Sequence, residues 1–240
     1  MVVEVCANSY LSALNAQRAG AHRIELCSEL VIGGITPSYG LIKRVIQSVS
    51  IPVFALIRPR SGNFTYSDDE FEIMKYDIAK CKEMGCAGIV SGLLNQDNSI
   101  DFERTKTLVD LARPLPFTFH RAFDWVTDPR KALQQLIELG VDRVLTSGQE
   151  RSSEEGIALI SELKAYAEGR IGILPGGGIN PNNVHRFKQA GFTEIHVSAS
   201  TTEVVNEPPR IPMNSKKFFD ETLAVYSDKN NIAAIVSAFK

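Results

Sequence analysis

The residues of this 240-residue chain best suited to chemistry begin with two matching triplets near its start. Glu4-Val5-Cys6 and Glu25-Leu26-Cys27 each close a short apolar run with an acid, a spacer and a thiol. In an extended strand alternate side chains share a face, so Glu4 lies with Cys6 and Glu25 with Cys27, and Cys6 and Cys27 should face each other from adjacent strands in matching register. Two chemistries follow. A carboxylate can act as general base, and two close thiolates suit a soft cation, Cu(I) above all. The structural alternative is an ion-pair network beside two inert buried thiols. Interior carboxylates are costly unless paired or hydrogen-bonded. Arg58 and Arg60, which end the third apolar run, are the candidate partners.

Further along, Thr118-Phe119-His120-Arg121 sends Thr118 and His120 to one face. His120 suits a general acid or base near neutral pH, or a metal ligand, against the plainer role of a satisfied core histidine. Thr146-Ser147-Gly148 ends a sixth run, and a seventh enters Pro175-Gly176-Gly177-Gly178. An eighth carries His196, Ser198 and Ser200 at alternate positions. Glycines let backbone N–H groups approach an anion closely, and hydroxyls add donors. The candidate catalytic set is therefore Glu4, Glu25, His120 and Arg58. The candidate anion-binding set is Arg60, Arg121, Ser147, Gly177, Gly178 and Ser198. A divalent cation on Glu4, Glu25 and His120 is a third expectation. No lysine stands at a predicted strand end, which counts against Schiff-base aldol chemistry. Cys81 and Cys86 straddle a helix end and read as packing residues.

These side chains need elements to position them. The apolar runs predict strands over 2–6, 23–27, 52–57, 88–91, 117–120, 143–146, 171–174 and 195–199. Helical periodicity fills 9–19, 37–48, 67–84, 101–112, 129–139, 153–167 and 181–190. Ser67-Asp68-Asp69-Glu70 reads as a capped helix start, and Gly20, Gly85, Gly140 and Gly191 as helix stops. Eight strand–helix units predict an α/β fold, a single-domain (β/α)8 TIM barrel of eight parallel strands over 1–240. A doubly wound open sheet fits less well, because Cys6-Ala7-Asn8-Ser9 is no glycine-rich dinucleotide loop. In such a barrel the chemistry sits at the C-terminal strand ends. Residues 201–214 read as a long loop and 215–240 as a C-terminal helical segment.

Charge and composition exclude several classes. Lys and Arg total 26 against 28 Asp and Glu, a net charge of -2, so no basic surplus is available for nucleic acid. No apolar stretch reaches the roughly 20 residues of a membrane span. The opening MVVEVCANSY has neither the charge nor the apolar run of a secretory signal. Four scattered cysteines do not make a disulfide scaffold, so a cytoplasmic protein with reduced thiols is expected.

EVC near the start, RIELC, GGITPSYG, IRPRSGNFTYSDDE, FTFHRAFD, RVLTSGQ and PGGGI together resemble the CutC family, often labelled copper homeostasis proteins. The likeness runs in order from Val3 to about Ser200. Residues 202–213 keep only Arg210 of the family's arginine-containing segment. The resemblance implies a (β/α)8 barrel, a cytoplasmic homodimer or higher homo-oligomer, and Cu(I) held on Cys6 and Cys27. The residues leave a second function open, a barrel enzyme acting on a small anionic, phosphate- or sugar-like substrate. The expected partners are thus a copper ion or a small anion, with no nucleic acid and no membrane.

Overall fold

Short polar side chains start most of the helices, and alternation sets the strands between them. The computed structural model describes residues 1–213 and 220–240. Its repeating units are β1 (Val2–Ala7) and α1 (Tyr10–Arg18), β2 (Arg23–Leu26) and α2 (Tyr39–Ile46), β3 (Val53–Leu56) and α3 (Asp68–Glu83), and β4 (Gly88–Ser91) and α4 (Phe102–Ala112). They continue with β5 (Phe117–Phe119) and α5 (Pro129–Glu138), β6 (Arg143–Thr146) and α6 (Ile157–Ala167), β7 (Gly172–Pro175) and α7 (Val184–Gln189), and then β8 (Glu194–Val197). Ser9, Ser38, Asp101 and Asp128 each accept a backbone N–H at a helix start. Ser67 and Glu70 form the full reciprocal capping box. Gly20 and Gly85, past the ends of α1 and α3, take φ of 82° and 87°, where a side chain would be strained.

The strands run in the order β7-β6-β5-β4-β3-β2-β1-β8, every pair parallel. The remaining seam is joined by one parallel bridge, Gly176 to His196, so the barrel is nearly closed. Val3, Val5, Ile24 and Leu26 pack in the large apolar layer between strands and helices. A smaller apolar cluster of Cys6, Cys27, Phe54, Leu56 and Val90 is separate from that layer.

Two expectations need correction. The triplets do not lie level: Glu4 is opposite Arg23, and Cys6 is opposite Glu25. Barrel strands tilt and stagger, so equal motifs on neighbouring strands shift by two residues. The expected loop over 201–214 begins as a strand, β9 (Ser200–Val204), antiparallel to β10 (Leu223–Ser227). Within the expected helical segment only α8 (Lys229–Phe239) is helical among the described residues, and 215–219 lie outside them. The β9–β10 hairpin is tied down through backbone groups. Asn8 Nδ2 and Asn15 Nδ2 donate to the carbonyls of Val225 and Ser227, and Ser227 Oγ donates to the Cys6 carbonyl.

The seam is tight. A Cβ on Gly176 would stand 2.5 Å from Leu145 Cδ1 and 3.0 Å from His196 Cβ. Gly176→Ala is therefore expected to lose about 1–3 kcal/mol of stability in urea unfolding, and an unchanged midpoint would show that the seam has slack.

Candidate functional site

The site starts from a buried carboxylate. Glu4 is 1% exposed and lies between Arg23 on one neighbouring strand and His196 on the other. Arg23 Nε donates to Glu4 Oε2, and His196 Nδ1 lies 2.7 Å from Glu4 Oε1. Burial by itself raises the Glu4 pKa. The His196 hydrogen bond and the Arg23 charge outweigh it and hold the carboxyl at about 2. The network continues outward: Arg23 Nη2 reaches Glu194 Oε2 at 2.8 Å, and Arg143 Nε meets the same oxygen at 3.3 Å. Both guanidinium groups lie over the Phe54 ring. For Glu4 the ion-pair alternative describes the geometry, with Arg23 in the place expected of Arg58 or Arg60.

The thiols lie one step nearer the mouth. Cys6 Sγ and Cys27 Sγ are 3.6 Å apart, and both residues are buried. The Cys27 hydrogen bond, burial and the charges of Glu25 and Glu4 raise the Cys6 pKa well above the usual thiol range. Glu25 Oε2 lies 3.3 Å from His196 Nε2. Burial pushes the Glu25 pKa up to about 7, with the Glu4 charge adding and the His196 charge opposing. For His196 burial lowers the pKa, but Glu25 and Glu4 outweigh it and leave the imidazole raised. One atom each of Cys6, Glu25 and His196 come within 4.8 Å of one another, a metal-sized cluster among the described residues. The expected trio of Glu4, Glu25 and His120 is not brought together as such a cluster.

Above this floor lies a cavity of about 300 Å³, with Cys6, Glu25 and His196 at one side and His120, Arg121, Gly177, Gly178 and Ser198 among its other walls. Arg58 lines it too, with both Nη atoms given to backbone and Nε without a hydrogen-bond partner among the described residues. Nη1 donates to the carbonyls of Ile32 and Gly34, and Nη2 to that of Gly62. It pins the loops after β2 and β3 and does not meet either glutamate. Arg60 is elsewhere, paired with Glu70 at the start of α3. Ser147 is buried under the rim, where its hydroxyl donates to Asp124 and accepts from Arg121 Nη2.

Three residues of the site lie outside the candidate sets. Arg23 shares the inward alternation of Glu25 and Cys27, which was visible. His196 was visible on β8, but only barrel closure sets it against Glu4. Asp124 anchors the rim by accepting from Thr146 Oγ1, Ser147 N and Ser147 Oγ, contacts between segments more than twenty residues apart.

A profile of the CutC family matches residues 1–201. The chain belongs to the CutC family. A copper homeostasis protein cutC homolog of Mus musculus is 54% identical over 202 residues, covering 84% of this chain and 74% of that protein. A CutC family protein of Parabacteroides distasonis is 43% identical over 242 residues, 98% of this chain and 99% of that one. Among solved structures, a CutC copper homeostasis protein of Streptococcus agalactiae has a TM-score of 0.79 at 36% identity, covering 82% of this chain and 98% of that one. The CutC profile thus ends as β9 begins, whereas the Parabacteroides relative aligns through the hairpin and α8.

The raised Glu25 pKa sets a sign for stability against pH. A carboxyl raised from 4.5 to about 7 adds stability that is complete below the unfolded value and is lost as pH rises through about 7. Glu25→Gln keeps a neutral side chain throughout. Its melting free energy relative to wild type is expected to improve by up to about 2 kcal/mol between about pH 5 and pH 8. A flat difference would mean that Glu25 ionises as readily inside the barrel as in the unfolded chain.

Proposed function

We propose that the protein binds monovalent copper as its cargo, between the Cys6 and Cys27 sulfurs, and acts in copper homeostasis. The observation that carries this reading is the 3.6 Å separation of two buried sulfurs on adjacent strands. Soft thiolates select Cu(I) over the hard cations that carboxylates prefer. His196 supports the same reading. Its Nδ1 faces the Glu4 carboxylate, which leaves Nε2 on the side of Cys6 and Glu25, as an imidazole ligand backed by a carboxylate requires. The names of the Mus musculus and Streptococcus agalactiae relatives agree with this role.

The proposal includes a reducing, cytoplasmic setting, where free cysteines persist. Among the described residues no helix is long and apolar enough to cross a membrane. It also includes a homo-oligomer, the state that the family resemblance implies. Light scattering of the purified chain should give at least twice the 26.4 kDa chain mass, and a monomer would remove that part.

Copper uptake must displace thiol protons, because the Cys6 thiol is held well above its usual pKa. Affinity is therefore expected to rise with pH between about pH 6 and pH 8, by up to about tenfold per unit for each proton released. In chelator competition the Cys6→Ser/Cys27→Ser double variant should lose more than the about 10–100-fold that changes around a ligand shell produce. Equal affinity in wild type and double variant would overturn the reading.

A further inference from the structure

The mouth cavity holds more polar machinery than two sulfurs need, and part of it has no partner. His120 is 5% exposed, tilted against Phe64 with ring centroids 4.9 Å apart. Its Nδ1 accepts the Ala122 N–H at 3.1 Å. In a neutral imidazole that bond places the proton on Nε2, which becomes a donor. Burial and the nearby Arg58 charge keep the ring neutral, with a pKa lowered to about 3. Among the described residues Nε2 has no hydrogen-bond partner. His120 lines the cavity, and a buried donor left unmatched on one of its lining residues marks a place where a ligand acceptor belongs.

Arg121, on the same rim, is oriented but not fully used. Nε donates to Asp124 and Nη2 to Ser147 Oγ, while Nη1 has no acceptor among the described residues. Nη1 faces Gly177, at 3.4 Å from where a Cβ on that residue would stand. Gly177 and Gly178 have φ of 114° and 76°, so glycine is required there and the space beside Arg121 stays open. Their carbonyls are engaged elsewhere. Ser153 N and Oγ donate to the Gly177 carbonyl, and the side-chain amides of Asn180 and Asn183 donate to that of Gly178.

We propose that this cavity is a binding site for a small organic anion. Its carboxylate or phosphate rests on Arg121 and the Gly177–Gly178 turn, and its carbonyl oxygen accepts a hydrogen bond from His120 Nε2. Both groups line one cavity of about 300 Å³, which limits the ligand to a few carbon atoms. Copper plays no part in this proposal, and it stands or falls independently of the thiol site.

Copper-free protein, with imidazole nitrogens labelled, is titrated with pyruvate, with dihydroxyacetone phosphate and with inorganic phosphate. Calorimetry reads affinity, and NMR reads the His120 Nε2 resonance. At least one carbonyl probe should bind saturably, shift that resonance, and lose about tenfold in affinity in Arg121→Gln. Pyruvate and dihydroxyacetone phosphate separate a carboxylate ligand from a phosphate one. Inorganic phosphate, which has no carbonyl oxygen, should leave the His120 resonance in place. The proposal is overturned if neither carbonyl probe binds, if binding leaves His120 unmoved, or if Arg121→Gln binds as wild type does. The His120 reading is made on the unaltered chain, so it does not depend on a variant folding.

Discussion

The interior of this barrel is organised around one carboxylate that cannot reach water. Glu4 stays ionised in the floor because Arg23 and His196 meet it from the strands on either side. A charge at that depth without such partners would neutralise or unfold its surroundings. The consequences spread outward. Arg23 is drawn in and carries Glu194 and Arg143 with it, so the floor becomes a chain of alternating charges. His196 is turned so that one nitrogen faces Glu4 and the other faces Glu25. The groups nearest the mouth thus feel the charge of a residue that never touches the cavity wall. Burial makes Glu25 reluctant to ionise, the Cys27 hydrogen bond and burial make Cys6 reluctant to lose its proton, and the Glu4 charge below adds to both.

The mouth itself divides by hardness. On the side of β1, β2 and β8 stand two sulfurs, a carboxyl and an imidazole, a soft and tunable set suited to a thiophilic cation. On the side of the loops after β5, β6 and β7 stand an arginine, a glycine turn and an imidazole N–H, a set suited to oxygen and negative charge. Arg58 belongs to neither. It spends its charge on three loop carbonyls and gives the mouth a fixed rim. Such a rim matters because a site built on loops is only as exact as the contacts that hold those loops.

Much of this was legible in the residues. The Ser67 cap with its Glu70 partner, the glycine stops after the helices and the apolar alternation of Val3, Val5, Ile24 and Leu26 are local signals, and each appears where local chemistry puts it. The inward set of Glu4, Cys6, Glu25 and Cys27 follows from the same alternation. Partnership was not legible. Arg60 sits after β3 like Arg58 but binds Glu70 on the following helix. The hairpin of β9 and β10 was hidden because β9 is polar and largely exposed, and its partner lies some twenty residues on.

Period-two and period-3.6 patterns within short windows already carry the α/β repeat, the one-domain barrel and the list of polar residues that face inward, and the run of motifs from Val3 to Ser200 carries the family resemblance. Only the tertiary structure decided which of those residues meet. Strand stagger moved Cys6 opposite Glu25 in place of Cys27, yet still left the two sulfurs 3.6 Å apart. Closure brought β8 beside β1, 192 residues apart in sequence at Glu4 and His196, and so made a histidine the neighbour of both glutamates. Register and closure are properties of the whole ring of strands, since tilt and stagger must agree around the barrel before any pair is set.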